Sequence, residues 1–158
     1  MRISDREVKD VNEKLEILEN CEVVRLALSD DGQPYVFPLY FGYEMTERGL
    51  TLYFHSAMSG RKVDIIKANP RACFECDRFF RTVEDSVPCK WTAEHESLIG
   101  FGTVTVIETS GEKKKAMDSI MHRYGYEGAP VYNEELFAKT MFYKMEVSEF
   151  TGKRRLLQ

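Results

Sequence analysis

The segment with the clearest chemical potential is Phe54-His55-Ser56-Ala57-Met58-Ser59-Gly60-Arg61-Lys62. An alternating, strand-like run precedes it and a helical run follows, so Gly60 to Lys62 fall at a helix start. A helix start exposes unpaired backbone N–H groups at the positive end of the helix dipole, which suits an anion. Arg61 adds a planar fork that can grip phosphate in bidentate fashion, and Lys62 adds a point charge. Ser56 and Ser59 add hydroxyl donors. Two cations are the wrong sign for an uncompensated N-terminus, and this favours a phosphate site over an ordinary solvated start. The glycine spacing of a Walker A loop is absent.

Other residues could meet such a ligand. Pro38 cannot donate to a ladder, so Phe37-Pro38-Leu39 belongs at a sheet edge or where a barrel opens. Taken alone, an ordinary edge strand explains it. Gly100 and Gly102 stand two apart in a strand and bare one face, either for a flat ring or second backbone or for a corner bend. His55 is the one candidate for proton transfer, although a half-exposed strand histidine is the commoner case. His95 and His122 have no evident partner. Trp91, Tyr40 and Tyr53 offer stacking surfaces or core packing. No nucleophile–base pair suggests hydrolysis. Cys73, Cys76, Cys89 and His95 carry the residue types of a Cys3His zinc set. On a strand, however, Cys73 and Cys76 point to opposite faces, and no metal centre is expected. Cys21 reads as a small buried hydrophobe. Lys113-Lys114-Lys115 reads as a solvated helix face, and Lys153-Arg154-Arg155 as a frayed tail or a further reach toward phosphate.

These residues need elements to position them. Ser4 and Glu7 have capping-box spacing ahead of Val8, Val11, Leu15 and Leu18, which predicts a first helix to about Asn20. Strands are predicted over Val23–Ser29 and Pro34–Tyr43, joined by the turn at Asp30-Asp31-Gly32-Gln33. A strand follows from Leu50 to His55, with His55 on its more polar face. A short helix runs from about Gly60 to Asn69, closed by Pro70. Ala72–Phe80 and Leu98–Ile107 read as strands around a polar loop at Arg81–Pro88. Thr109 and Glu112 repeat the capping spacing before a helix ended by Gly125, and Met141–Ser148 alternates as a last strand. The expectation is one domain over residues 1–158, mainly β with flanking helices, built on six antiparallel strands in a barrel.

Composition narrows the classes. The 158 residues suffice for a sizeable core, and 43% are hydrophobic. A net charge of −4 speaks against nucleic acid or an anionic membrane as partner. No apolar run reaches the roughly 18 residues of a membrane span. The charged start has no apolar signal region, and the cysteines suit a reducing compartment, so a cytoplasmic protein is expected.

The ordered set resembles the 5-nitroimidazole-resistance branch of the pyridoxamine 5′-phosphate oxidase-like split-barrel proteins. The match runs through Asp31-Gly32-Gln33-Pro34-Tyr35-Val36-Phe37-Pro38-Leu39-Tyr40, Phe54-His55-Ser56-Ala57 and Gly60-Arg61-Lys62. Asn69-Pro70-Arg71, Cys89-Lys90-Trp91 and Glu96-Ser97-Leu98-Ile99-Gly100-Phe101-Gly102 continue it. The resemblance implies a split-barrel homodimer with FMN in grooves at the interface. It implies Pro38, Leu39 and Tyr40 along the isoalloxazine, and His55, Ser56 and Ala57 beside the ring and ribityl chain. Gly60, Arg61 and Lys62 would sit at the phosphate, and Ser97 and Gly100 on a groove wall of this chain or of its partner. It further implies a flavin-dependent oxidoreductase acting on a small planar or aromatic molecule, nitroimidazoles among the candidates. A non-catalytic flavin carrier, or a haem protein using one of the histidines, is the alternative.

Overall fold

The computed structural model describes residues 4–157. After a 3-10 turn at Ser4–Arg6 (a second lies at Pro88–Lys90), the elements are β1 (Glu7–Val8), α1 (Val11–Asn20), β2 (Val24–Asp30), β3 (Gln33–Leu39) and β4 (Gly42–Thr46). Then come β5 (Gly49–Ala57), α2 (Arg61–Ala68), β6 (Arg71–Val83), β7 (Thr92–Val106), α3 (Ser110–Arg123), α4 (Glu134–Ala138) and β8 (Thr140–Arg155). No helix among the described residues is long and apolar enough to cross a membrane.

The mainly β architecture is as expected, but the strand count rises from six to eight. All ladders are antiparallel, in the order β3-β2-β6-β7-β8-β5-β4, with β1 added on β8. The predicted strand Pro34–Tyr43 is two strands, because the chain leaves the ladder at Tyr40 and Phe41. β3 and β4 are the two ends of the strand order, yet only those two residues join them. The sheet must therefore curl until its edges approach each other. No ladder closes β3 onto β4, which makes the barrel a split one.

Local chemistry explains most boundaries. Asp31 (φ 48) and Gly32 (φ 85) supply the two positive φ angles of a tight hairpin between Asp30 and its partner Gln33. The first helix starts later than predicted. Asp10, not Ser4, caps it, accepting from Asn12 and Glu13 backbone N–H groups at 2.8 and 3.1 Å. Glu7 and Val8 are instead drawn into a ladder with Lys153 and Gly152. Part of the predicted loop at Arg81–Pro88 is strand, since β6 continues to Val83.

The predicted C-terminal tail is likewise strand. Lys153, Arg154 and Arg155 pair with Ser97, Glu96 and His95, and Arg154 Nε donates to the buried Glu96 at 2.8 Å. That residue is a structural cation rather than a free phosphate ligand.

Phe41, Phe54, Phe74, Leu26, Leu52, Leu98 and Tyr143 fill the barrel, and Val63, Ile65 and Ile66 of α2 plug one end. A second cluster of Tyr53, Ile107, Ala116 and Phe142 lies under α3. Tyr53 is therefore buried although it faces away from the barrel. Gly42 permits this close approach, since a Cβ there would stand 2.5 Å from Ser119 Oγ and 2.7 Å from the Ile120 backbone nitrogen.

Candidate functional site

β4 pairs with β5 only as far as Gly42 opposite Tyr53, whereas β5 continues to Ala57. Beyond that point Phe54–Ala57 carry a ladder on the β8 side alone among the described residues. β3 is bare on the side away from β2. Two open strand edges thus bracket the split, one carrying Pro38 and Leu39 and the other His55, Ser56 and Ala57. Pro38 is on an edge strand, as its missing N–H requires. Tyr40, just past the end of β3, is 63% exposed and packs edge-on to Tyr124 at 5.0 Å. Tyr124 ties this corner down: its hydroxyl donates to the Glu22 carbonyl at 2.6 Å and accepts from Phe41 N–H at 3.4 Å.

The N-terminus of α2 closes one end of the split. Gly60 sits at φ 127 and ψ 163, a conformation that glycine adopts readily, and no side chain caps the helix. The first-turn N–H groups of Arg61 and Lys62 are therefore left to solvent or a ligand. Arg61 lies 4.8 Å over the Tyr35 ring, and its Nε and Nη2 each donate to Asp30 at 3.1 Å. Both partners of that pair are about half exposed, so the contact is weak and exchangeable. Lys62 stands 5.2 Å above the Phe37 ring with no carboxylate at ion-pair distance among the described residues. Burial, and then the Lys62 charge, push the His55 pKa below 6.5. Its imidazole is accordingly neutral at neutral pH and able both to donate and to accept. Lys62 thus works on both sides of the split, over Phe37 of β3 and against His55 of β5.

The expected residues do not all converge. Alternation along β5 puts His55 and Ala57 on one face and Ser56 on the barrel side with Phe54. Ser56 donates its hydroxyl to the Ala57 carbonyl at 3.0 Å. His55 pairs with Phe142, and Tyr143 with Val106, which fixes the level of the split along β7. Ser97 is nine residues from Val106 and Gly100 six, roughly 30 and 20 Å at about 3.3 Å per residue. Neither reaches the His55 end within one chain. The space that a missing Cβ leaves at Gly100 is taken by Phe74, whose ring would be 2.3 Å from that atom. Gly102 lies at a register shift, where a Cβ would stand 2.1 Å from the Glu146 carbonyl oxygen. Packing inside the barrel and a bulge therefore account for both glycines.

Cys73 is half-buried and Cys76 buried, on opposite faces of β6. Cavities of about 760, 580 and 510 Å³ lie under the charged side of β4–β5, on the outer face of β6–β7, and beside α3. None of these three is lined by the His55–Lys62 segment. Asp30 is the member that sequence reasoning missed, while Tyr35 and Phe37, read there only as part of the β3 segment, gain a role as the rings under Arg61 and Lys62. Nothing local marks Asp30 as the partner of Arg61, because the two meet only when α2 folds back over the β2–β3 hairpin.

A family model described as Pyridoxamine 5′-phosphate oxidase matches residues 10–154. Among solved structures, a candidate 5-nitroimidazole antibiotic resistance protein from Bacteroides thetaiotaomicron is 28% identical, with a TM-score of 0.81 over 93% of this chain and 85% of that one. The flavocytochrome Anf3 from Azotobacter vinelandii is 16% identical at a TM-score of 0.81, covering 99% and 72%. A FAD-binding protein from Mesorhizobium loti is 24% identical at 0.66, covering 96% and 98%. The last two establish likeness of fold alone. No curated protein sequence matches the chain. A family model that takes in all but the outermost residues, together with the nitroimidazole-resistance relative over nearly the whole barrel, shows that the chain belongs to the pyridoxamine 5′-phosphate oxidase family.

Proposed function

We propose that this protein binds FMN in the barrel split and uses it as an oxidoreductase toward a small planar or aromatic substrate, nitro compounds included. The observation that carries the reading is the uncapped, doubly cationic start of α2, placed where two strand edges lie bare. The residues fit such a nucleotide. The free N–H and C=O groups beside Pro38, Leu39 and Tyr40 suit the polar rim of an isoalloxazine. Gly60, Arg61 and Lys62 suit a phosphate. A bound flavin supplies hydride or electron-pair transfer, while the protein sets its position and surroundings. His55, neutral and beside Lys62, is the group of this chain best placed to hold a proton near the ring.

Ser97 and Gly100 could meet the ligand only in a homodimer such as the resemblance implies, in which a second copy brings that strand to the split. The outer faces of β3 and β7 carry exposed Val36, Ile99 and Phe101, apolar groups suited to such an interface. Absorbance of the purified protein, followed by FMN titration, tests the cofactor. No flavin in the preparation and no binding at micromolar FMN would rule it out. Light scattering tests the dimer. Oxidation of a reduced nicotinamide with a nitroaromatic acceptor separates an enzyme from a flavin carrier, since the carrier binds FMN tightly without turnover.

A further inference from the structure

The barrel end behind the split holds a buried hydroxyl without a well-formed hydrogen bond. Tyr143 is 0% exposed and its ring stacks on Phe54 at 5.5 Å; its hydroxyl makes no well-formed hydrogen bond, and the Ser56 side chain is the polar group near enough to act on it. Tyr143 pairs directly with Phe54 across the β5–β8 ladder, and Ser56 is the next residue of β5 on the same inner face. Such diagonal neighbours have Cα atoms about 7–8 Å apart, within reach of a tyrosine side chain. Register alone therefore aims the phenol at Ser56. The Ser56 hydroxyl meanwhile donates to the Ala57 carbonyl at 3.0 Å, four residues before the bare start of α2. Burial raises the Tyr143 pKa against a smaller opposing effect of the nearby Ser56 hydroxyl, so the phenol stays protonated and is available as a donor. A buried donor left unmet is costly, and cores rarely keep one without a use.

We propose that Tyr143 is a positioning residue for the phosphate end of the split and acts through Ser56. When the ligand binds, the Ser56 hydroxyl turns from the Ala57 carbonyl and donates to a phosphate oxygen, while Tyr143 donates to Ser56 Oγ. The proton of each hydroxyl stays on its own oxygen; only the acceptors change. This inference rests on the flavin-phosphate reading above.

FMN and riboflavin titrations of the full chain test it, using Tyr143→Phe, Ser56→Ala and the double variant. Tyr143→Phe is expected to weaken FMN about tenfold and riboflavin less than about twofold. The double variant should bind FMN no more weakly than Ser56→Ala, because Tyr143 acts only through that hydroxyl. The ligand-free Tm of Tyr143→Phe should equal or exceed that of the parent, since an unmet donor has been removed. Unchanged FMN affinity, equal loss of both flavins, additive losses, or a lower ligand-free Tm each overturn the relay. A parent protein that binds neither flavin overturns the flavin reading itself, and the relay with it. A parent that binds FMN while Tyr143→Phe behaves identically overturns the relay alone.

Discussion

Arg61 is the most informative residue to perturb, because the structure gives it a competing partner. Its guanidinium is held by Asp30 through two 3.1 Å contacts, with the side chains 55% and 43% exposed. An exposed pair of this kind contributes about 0–1 kcal/mol, whereas a hydrogen bond to a charged group contributes about 1.5–3 kcal/mol. If the ligand phosphate takes over the guanidinium, Arg61→Ala removes the second and Asp30 forfeits the first. The net loss in FMN affinity should be about 0.5–3 kcal/mol, or about two- to 160-fold in Kd. Riboflavin, which has no phosphate, should bind Arg61→Ala nearly as well as the parent. The same geometry predicts that Asp30→Asn releases Arg61 and removes a repelling carboxylate, so FMN should bind up to about fivefold tighter. Fluorescence quenching of each flavin, at low and at raised salt, measures all of these. Raised salt should shrink both effects, since the groups are exposed. Equal losses for FMN and riboflavin in Arg61→Ala would show that Arg61 is structural. Weaker FMN binding in Asp30→Asn would show that Asp30 holds Arg61 in its productive pose, and would refute the competition argument.

Three further outcomes follow from the same geometry. His55 should titrate below 6.5 in the free protein, because burial and then Lys62 disfavour its charged form. Its neutral form is the one the fold prefers, so its contribution to stability is complete above 6.5 and is lost as pH falls from there toward the folded value. A phosphate beside Lys62 should raise the His55 pKa, and an NMR titration with and without FMN would detect an unmoved or lowered value. Gly102→Ala should cost about 1–3 kcal/mol or more by urea denaturation, since the added methyl meets the Glu146 carbonyl of a neighbouring strand; wild-type stability would show that the bulge can shift. Arg123→Ala should cost about 3 kcal/mol or more by the same assay. This guanidinium, with 6% side-chain exposure, serves the Leu18, Glu19 and Cys21 carbonyls, pairs with Glu19 and lies 4.2 Å over Phe41. A loss below about 1 kcal/mol would mean that water replaces it.

Features set by neighbours in the chain were readable from residue types. Asp31-Gly32 announces its hairpin through the positive φ angles that few other residues accept. Leu50, Leu52 and Phe54 announce a strand face by alternation, and all three are buried. Pro38 announces a sheet edge by its missing N–H, and Gly60-Arg61-Lys62 a helix start able to take an anion. Sequence by itself thus determined the mainly β class, most of the elements and the charged end of the candidate site.

Long-range pairing decided the rest. Capping-box spacing at Ser4 lost to Asp10 once Glu7 and Val8 found β8 at the far end of the chain. Lys153-Arg154-Arg155 became strand because Glu96 and His95 were waiting on β7. Gly100 and Gly102 proved to be spaces for Phe74 and for the backbone of β8, which no local pattern distinguishes from space for a ring. Only the folded sheet could show that Arg61 leans on Asp30, that Tyr143 points an unmet hydroxyl toward Ser56, and that Ser97 stands far from His55. Hydrogen-bonded register is a relation between distant segments, and one residue of slip would reverse every side chain. Composition and spacing carry no record of that choice.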